Sequence, residues 1–482
     1  MKKYIVYSLC CWLFFSSCND WLDVKPNSQT EEDEMFTTYE GFRSALTGCY
    51  IKMKNRSLYG EYLTMSHIES MANLWYVRFS GDVEDAFNKH DYKNESAKSA
   101  IAEIYDGLYN VIVQANSVIA HLDSDGGCID DEVSLGIIKG EAYALRALCH
   151  FDVLRLFGQM PQNPVRRVAL PYAEEVSIKQ LPAYYDYAAF CGKIESDLLT
   201  AEKALEGIDP VLEQGIAYGE NEEILHNYRG LDLNYWAVKA LQARFYLYTG
   251  RPEAAYAAAK EAFKATEAKK PVRLSGSADV ANKHFASPSE CLFALSNNEL
   301  IDYSIDVLGN PGTALKNGYC ITKDMFGRLY ADVSGVAHIK SDVWDQNTPD
   351  NSQVRQCVVK KYYYDDSKSH NDDELLTKLQ LIPMIRMSEV YLILMETTTN
   401  LEEANDLYKA YMLARNVGDA QPFTALPAVK TFVTNEMRRE FYAEGQMFYT
   451  YKRLDTKRMM FADEDAGEEA YILPLPDSEP VH

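Results

Sequence analysis

The residue motifs of common enzyme active sites are missing from this chain. The 482 residues contain no HExxH, GxSxG, P-loop or Gly-rich dinucleotide-binding pattern, and the nine histidines are scattered without the spacing of metal ligands. A glycosidase needs two facing carboxylates, but 71 acidic residues make chance pairs certain. The acidic residues 463–465 fit a solvated surface better than a calcium site. We therefore predict that the chain is not an enzyme and that it has no cofactor and no bound metal.

Basic charge and long apolar runs are also scarce. Lysine and arginine number 48 against 71 acidic residues, which leaves a net charge of −23. Nucleic acid is excluded as a partner because its phosphates require a basic surface. Beyond the first 20 residues no apolar run is long enough for a membrane helix. Hydrophobic residues nevertheless make up 47% of the chain, which is enough for a folded body.

Cysteine spacing gives no disulfide framework. Seven cysteines follow Cys18, an odd number, and none of them forms a CxxC motif. Cys149 lies within an apolar helical pattern, so we expect it to be a small core residue. Whether any two cysteines pair is left open.

The N-terminus has the features of an export signal. Lys2 and Lys3 precede a short apolar stretch at residues 4–15, and Ser16 and Ser17 then precede Cys18. The arrangement resembles a bacterial lipobox, in which the peptide is cut before a cysteine that then receives lipid. We predict a signal peptide at residues 1–17, lipidation of Cys18 and a tether over residues 18–30. Ordinary secretion with an incidental Cys18 is the alternative.

Two segments predict helical hairpins. Residues 233–265 read as a helix that ends at Gly250, where glycine takes a left-handed conformation, and a second, alanine-rich helix that opens at Pro252. Residues 383–415 repeat this layout with Asn400 in the turn. Helix, tight turn and alanine-rich helix is the tetratricopeptide pattern, which needs several stacked units to bury its apolar faces. An ordinary helix pair is the alternative for either segment alone.

The predicted fold class is therefore all-α for the most part, a solenoid of tetratricopeptide-like hairpins. Between residues 270 and 381 the helical period is lost and glycines mark turns, so we predict a loop-rich excursion with minor β structure. Strands are expected at residues 291–298 and 354–364. A single helix is predicted over residues 433–454.

Four motifs in order along the chain carry a resemblance to a known family. They are NDWLDVKP after Cys18, EAYALRALCHFDVLRLFGQMP at 141–161, IPMIRMSEVYLILMET at 382–397, and RREFYAEG at 438–445 with the closing LPLPDSE. Together they resemble the SusD/RagB family of outer-membrane nutrient-binding lipoproteins. The sequence departs from that family after Gly445, at Met447, Thr450 and Tyr451. The charged residues of the last two motifs (Arg386, Glu389, Arg438, Arg439, Glu440 and Glu444) are predicted to form structural ion pairs within helices.

The resemblance implies four tetratricopeptide-like hairpins, with residues 31–215 as an N-terminal helical region and residues 216–482 as a C-terminal region. It also implies an outer-membrane protein, lipid-anchored and facing outward, that acts as a lid on a SusC-like TonB-dependent transporter. Such a protein captures an oligosaccharide before import. RagB-like members bind peptide instead, and a scaffold without a ligand is a third hypothesis.

Candidate ligand residues come from residue type and loop position alone. Trp75, Tyr76 and Arg78 lie in a stretch without helical period, and Tyr330 and Trp344 lie in the excursion. Aromatic rings beside an arginine suit a sugar, whose apolar faces stack on rings. Trp75 could instead hold its loop to the body. A groove lined by these rings would favour sugar, a deep polar cleft would favour peptide, and buried rings would favour a scaffold.

Overall fold

The computed structural model describes residues 34–176, 181–216, 222–311, 318–333, 338–346, 355–365 and 367–479. The predicted signal peptide, the tether and Cys18 lie outside the described residues. The eighteen α-helices of the described chain are α1 Tyr39–Met53, α2 His67–Met71, α3 Val83–Asn88, α4 Glu95–Asp125, α5 Glu132–Phe157, α6 Tyr187–Leu205, α7 Val211–Gln214, α8 Tyr235–Tyr248, α9 Pro252–Phe263, α10 Ser277–Ala281, α11 Leu300–Leu308, α12 Lys323–Leu329, α13 Asp372–Glu374, α14 Met387–Thr397, α15 Leu401–Ala414, α16 Leu426–Glu440, α17 Met447–Arg453 and α18 Glu468–Tyr471.

Eight of these helices form four packed pairs, which follow one another along the solenoid. The pairs are α1 with α4, α5 with α6, α8 with α9, and α14 with α15, and each pair packs on the next through contacts of α4 with α5, α6 with α8, and α9 with α14. Gly250 has φ +76° and Pro252 is the first residue of α9, as predicted. Asn400 caps α15 by accepting bonds from the N–H groups of Glu402 and Glu403. The predicted tetratricopeptide-like solenoid is confirmed.

Short strands are confined to the segments that connect these helices. They are β1 Leu170–Pro171, β2 Tyr184–Tyr185, β3 Cys291–Ser296, β4 Ile321–Thr322, β5 Trp344–Gln346, β6 Gln356–Val359 and β7 Leu381–Arg386. All pair antiparallel, β1 with β2, β3 with β7, and β6 between β4 and β5. The strands expected at 291–298 and 354–364 are thus present, the second one shorter than predicted.

Two predicted helices have different limits. Residues 383–386 belong to β7, because this segment pairs with β3, and the second hairpin begins only at Met387. The helix predicted over 433–454 is interrupted after Glu440, where Ala443 and Gly445 take positive φ. A Cβ on Gly445 would lie 2.1 Å from the Leu63 carbonyl oxygen, so glycine is required where these two segments of the chain meet. The RREFYAEG motif is therefore a helix end followed by a tight turn.

The charged residues of the motifs form buried ion pairs across the fold. Arg386 contacts Glu290, Glu440 and Glu444 at 2.7–2.9 Å, and Arg415 contacts Glu290 and Glu440 at 2.9 and 2.8 Å. The predicted ion pairs are present for Arg386, Glu389, Arg439, Glu440 and Glu444, whereas Arg438 bonds to the neutral side chains of Tyr451 and Asn435. Their location is corrected, because Arg386 ends a strand, Glu444 lies in a turn, and most partners are distant in sequence rather than one helical turn away.

Helix α5 carries a similar set of buried charges from the motif at 141–161. Glu141 pairs with Arg229, Arg146 forms two bonds to Asp197, and Arg155 pairs with Asp152. Cys149 is fully buried, as expected, and the seven described cysteines are free thiols. The motif thus joins α5 to its neighbours through charges that must be paired once they leave water.

Candidate functional site

A wide cleft lies between the N-terminal segments and the excursion. We call it the tyrosine cleft. It has a volume of about 1120 Å³ and is lined by Asn55, Arg56, Ser57, Glu61, Tyr62, His67, Gly81, Asp82, Val83, Glu84, Ser96, Ser99, Ala100, Glu103, Asp306, Val307, Gly318 and Tyr319. A ligand cleft of this size accommodates several sugar rings or a short peptide.

A π-turn at Arg56–Gly60 forms one wall of the cleft. A Cβ on Gly60 would lie 2.3 Å from the Lys54 carbonyl oxygen, so this turn closes only with glycine. The Tyr303 hydroxyl on α11 donates a 2.7 Å bond to the Gly60 carbonyl oxygen, and the Arg56 guanidinium lies 5.0 Å from the Tyr303 ring. The turn therefore presents Tyr62 to the cleft from a fixed backbone.

Tyr319 lines the same cleft and belongs to the excursion. Gly318 has φ +100°, and a Cβ there would lie 2.9 Å from the Val307 carbonyl oxygen. This approach lets the Tyr319 N–H donate a 2.6 Å bond to the same oxygen. The Tyr319 ring lies 5.6 Å from the Trp75 ring behind it. Tyr62 and Tyr319 are both half-buried, so each offers part of its ring to the cleft.

Several polar side chains of the cleft are paired or held toward a neutral form. Arg56 contacts Glu61 at 2.6 Å. Burial, opposed by the charge of Arg78, raises the pKa of Glu84 to about 7, and its Oε1 has no hydrogen-bond partner among the described residues. Burial lowers the pKa of His67 to about 3, so this imidazole is uncharged at neutral pH. Burial and the charges of Glu84 and Glu61 raise the pKa of Tyr319 above its usual range.

Three of the five predicted ligand residues belong to the core. Trp75 is 2% exposed, Tyr330 3% and Trp344 8%, so these rings do not line a surface groove. The Trp75 indole N–H donates a 2.8 Å bond to the Met65 carbonyl oxygen. This bond fits the alternative prediction, in which Trp75 holds its loop to the body. Their expected position on exposed loops is corrected for a physical reason: each ring finds partners from distant segments.

These core rings form one continuous row that reaches the cleft. From Tyr319 the row passes to Trp75, then to Tyr442 at 5.0 Å and on to Trp344 at 4.9 Å. Phe326 links Trp344 to Tyr330 through centroid distances of 6.2 and 5.0 Å. The structure thus brings three predicted residues together, but behind the floor of the cleft.

Tyr76 and Arg78 remain partly exposed next to the cleft. The Tyr76 N–H donates a 2.8 Å bond to the Cys320 carbonyl oxygen, which holds the segment around Tyr76 beside Tyr319. Arg78 lies 5.4 Å from the Phe79 ring and lowers the pKa of Glu84 through its charge. Sequence reasoning did not select Tyr62 or Tyr319. The signal that could have identified them is a nearby preceding glycine, Gly60 two positions before Tyr62 and Gly318 directly before Tyr319.

A second groove of about 850 Å³ lies between α4 and the C-terminal segment. Lys93, Lys98 and Arg166 line it together with Asp91 and Glu469. Among its described lining residues the aromatic side chain is Tyr92, which is buried and donates its hydroxyl to the Ala470 carbonyl oxygen. The tyrosine cleft therefore fits a ring-stacking ligand better than this groove does.

Metal and membrane sites were sought in the same described segments. No group of three or more His, Cys, Asp or Glu side chains in them is arranged to hold a metal ion. None of the described helices is both long enough and apolar enough to span a bilayer.

Sequence comparisons match the N-terminal half to one family. Residues 20–210 match the SusD-like family described as "starch-binding associating with outer membrane". SusD-like protein P25 of Formosa agariphila is 24% identical over 226 residues, 45% of this chain and 40% of that protein. SusD-like protein P2 of the same organism is 26% identical over 164 residues, 33% of this chain and 31% of that protein. The chain thus matches less than half the length of these curated relatives.

Solved structures share the fold over nearly the whole chain. A SusD superfamily protein from Bacteroides thetaiotaomicron has a TM-score of 0.70 and 21% identity, covering 92% of this chain and 97% of that one. A SusD-like carbohydrate binding protein from Bacteroides vulgatus has a TM-score of 0.65 and 13% identity, covering 92% and 95%. The resemblance to the SusD-like family is therefore confirmed by sequence over residues 20–210, and the solved structures show a shared fold over 92% of the chain.

Proposed function

We propose that the chain binds a glycan in the tyrosine cleft. The observation that carries the proposal is a cleft of about 1120 Å³ whose polar lining includes two half-buried tyrosines, Tyr62 and Tyr319. Sugar rings have apolar faces that stack on aromatic side chains and hydroxyls that bond to carboxylates and imidazole. Tyr76 and Arg78 are proposed to extend the site at its edge, while Trp75, Trp344 and Tyr330 support it from the core.

The family supports the ligand class and the location. The matched family is described as starch-binding and outer-membrane associated, and the Bacteroides vulgatus structure is named a carbohydrate binding protein. We propose that Cys18 carries the lipid anchor and that the protein faces outward. In this position it would deliver its ligand to a SusC-like TonB-dependent transporter.

A binding screen tests the ligand proposal. The purified protein is titrated by calorimetry with a panel of polysaccharides and with a peptide mixture, beside Tyr62→Ala and Tyr319→Leu variants. Leucine keeps apolar volume against Trp75 but removes the ring. Tyr246→Ala is the matched control, since Tyr246 is a half-buried tyrosine on α8 outside the cleft.

Loss of one stacking ring is expected to weaken glycan binding about tenfold or more, with the control unchanged. Saturable binding to peptides alone would replace the glycan proposal with the RagB-like alternative. Failure to bind either class would leave the scaffold hypothesis, which the burial of Trp75 and Trp344 favours.

The anchor and the partner are tested in the producing cell. A Cys18→Ala variant is expected to leave the membrane fraction, because one thiol carries the proposed lipid. Native gel electrophoresis of mildly solubilised outer membranes is expected to show the protein in a complex with a TonB-dependent barrel, identified by mass spectrometry. Membrane retention of the variant would contradict the proposed anchor.

A further inference from the structure

The charges around the tyrosine cleft are almost all of one sign. Five carboxylates line it, from Glu61, Asp82, Glu84, Glu103 and Asp306. Arg56 is the cationic side chain among the described lining residues, and its side chain is 52% exposed. Because Arg56 already contacts Glu61 at 2.6 Å, it is committed to neutralising that carboxylate. The remaining four carboxylates outnumber the nearby Arg78, so the cleft keeps a net negative charge although the pKa of Glu84 is raised to about 7.

The groups best placed to bond a ligand are a carboxylate and a neutral imidazole. Oε1 of Glu84 is buried and has no hydrogen-bond partner among the described residues. His67 is 4% exposed, lines the cleft, and has a buried Nδ1 that also has no partner among them. A buried polar atom without a hydrogen-bond partner destabilises the protein, and a ligand that supplies the missing partner removes this cost. A ligand hydroxyl or ammonium group can donate to Glu84, whereas a carboxylate or sulfate cannot.

His67 does not supply the positive charge that an anionic sugar would need. Its ring is enclosed by Tyr62, with centroids 4.1 Å apart, and by Phe87 at 4.6 Å. This apolar enclosure disfavours the imidazolium form. The net charge of −23 on the whole chain adds long-range repulsion of polyanions.

We propose that the tyrosine cleft accepts neutral or amine-bearing glycans and rejects polyanionic ones, such as uronate-rich or sulfated chains. This inference rests on the glycan-binding function proposed above and specifies its ligand class. Like-charge repulsion excludes the anionic chains, and the exposed carboxylates of Asp82 and Asp306 contribute to this preference.

The test uses oligosaccharides that share a backbone and differ in charge. For both α-1,4- and β-1,4-linked glucans, the neutral chain is compared with a 2-amino derivative and a 6-carboxyl derivative in calorimetric titrations at low and at physiological salt. The protein variants are Asp82→Asn with Asp306→Asn, and Tyr62→Ala to locate binding in the cleft. Glu132→Gln with Glu253→Gln is the charge-matched control, because both are exposed carboxylates in the first turns of α5 and α9.

The neutral and amino chains are expected to bind, and the carboxyl chains are expected to bind at least tenfold more weakly. The double variant should weaken the amino chain about tenfold at low salt and leave the neutral chain unchanged. Carboxyl chains that bind as tightly as neutral ones, with loss in Tyr62→Ala, would overturn the charge preference while the glycan-binding function stands. If no member of any series binds, the proposed function fails and this inference fails with it.

Discussion

Replacing Arg415 by methionine should strongly destabilise the fold. Its guanidinium is fully buried, contacts Glu290 at 2.9 Å and Glu440 at 2.8 Å, and donates a 2.9 Å bond to the Ser275 carbonyl oxygen. Methionine fills much of the volume but leaves two buried carboxylates with fewer cations in contact. Arg386 still contacts both, Lys340 lies 3.4 Å from Glu440, and the other bonds come from the neutral donors Ser275, Ser388 and Tyr411. Removing one partner from such a buried set costs about 3–5 kcal/mol.

This cost converts into a shift in the melting temperature. The entropy of unfolding is about 2.1 cal/mol/K per residue, which is about 1 kcal/mol/K for a chain of 482 residues. The Arg415→Met variant should therefore melt about 3–5 °C lower in differential scanning calorimetry at pH 7. Arg458→Met is the matched control, because Arg458 and its partner Asp465 have side chains 55% and 73% exposed. An exposed pair contributes about 0–1 kcal/mol, so the control should shift by less than about 1 °C.

The comparison between the two variants decides the outcome. Equal small shifts for both would show that the buried charges are not a stabilising element of this fold, and the reasoning above would be refuted. Adding Glu440→Gln to Arg415→Met should recover part of the loss, since the second substitution removes one of the uncompensated charges.

Three further predictions concern the cleft and the acid response. Gly60→Ala should lower the melting temperature by a few degrees and weaken glycan binding, because its Cβ meets backbone at 2.3 Å, whereas Gly127→Ala, with open space, should do neither in the same two assays. Glu84→Gln should raise the melting temperature by a few degrees at pH 8 and not at pH 4. The raised pKa of about 7 in the folded state means that ionisation costs stability as the pH rises from 4.5 to 7, and an equal effect at both pH values would contradict it. Glu436→Gln should reduce the fall of the melting temperature at acid pH, measured by calorimetry over a series of pH values. Burial alone would raise the Glu436 pKa, but Arg439 and His338 outweigh it and lower the pKa to about 2, so the stability is present above pH 4.5 and lost as the pH falls toward 2.

Local sequence signals were enough to predict the helical hairpins. Gly250 and Pro252 fix the end of one helix and the start of the next through backbone geometry that needs no distant partner. The segment at 383–386 could not be assigned in this way. Its apolar residues fit a buried helix or a buried strand equally well, and only pairing with β3 decides between them.

The site was harder to predict because burial depends on contacts that are distant in sequence. Trp75 has the same local setting as an exposed loop tryptophan, but its ring packs on Tyr442, 367 positions later in the chain. Tyr62 and Tyr319 are 257 positions apart in the sequence, and both line one cleft because the folded chain brings their segments together. Residue type therefore selected aromatic side chains in the correct region, whereas their exposure could not be derived.

The row of rings connects the cleft to the buried ion pairs. Tyr442, in the middle of the row, lies between Glu440 and Glu444, which both contact Arg386. The Lys361 ammonium group donates to the Tyr442 carbonyl oxygen at 2.6 Å and also contacts Glu444, so the turn that carries this ring is held by charge on both sides. Buried ion pairs seldom add stability over an apolar core, but they require one geometry. Tyr442 packs on Trp75, and Trp75 packs on Tyr319, which lines the cleft. The buried charged motifs are thus connected to the proposed ligand site through a row of packed rings.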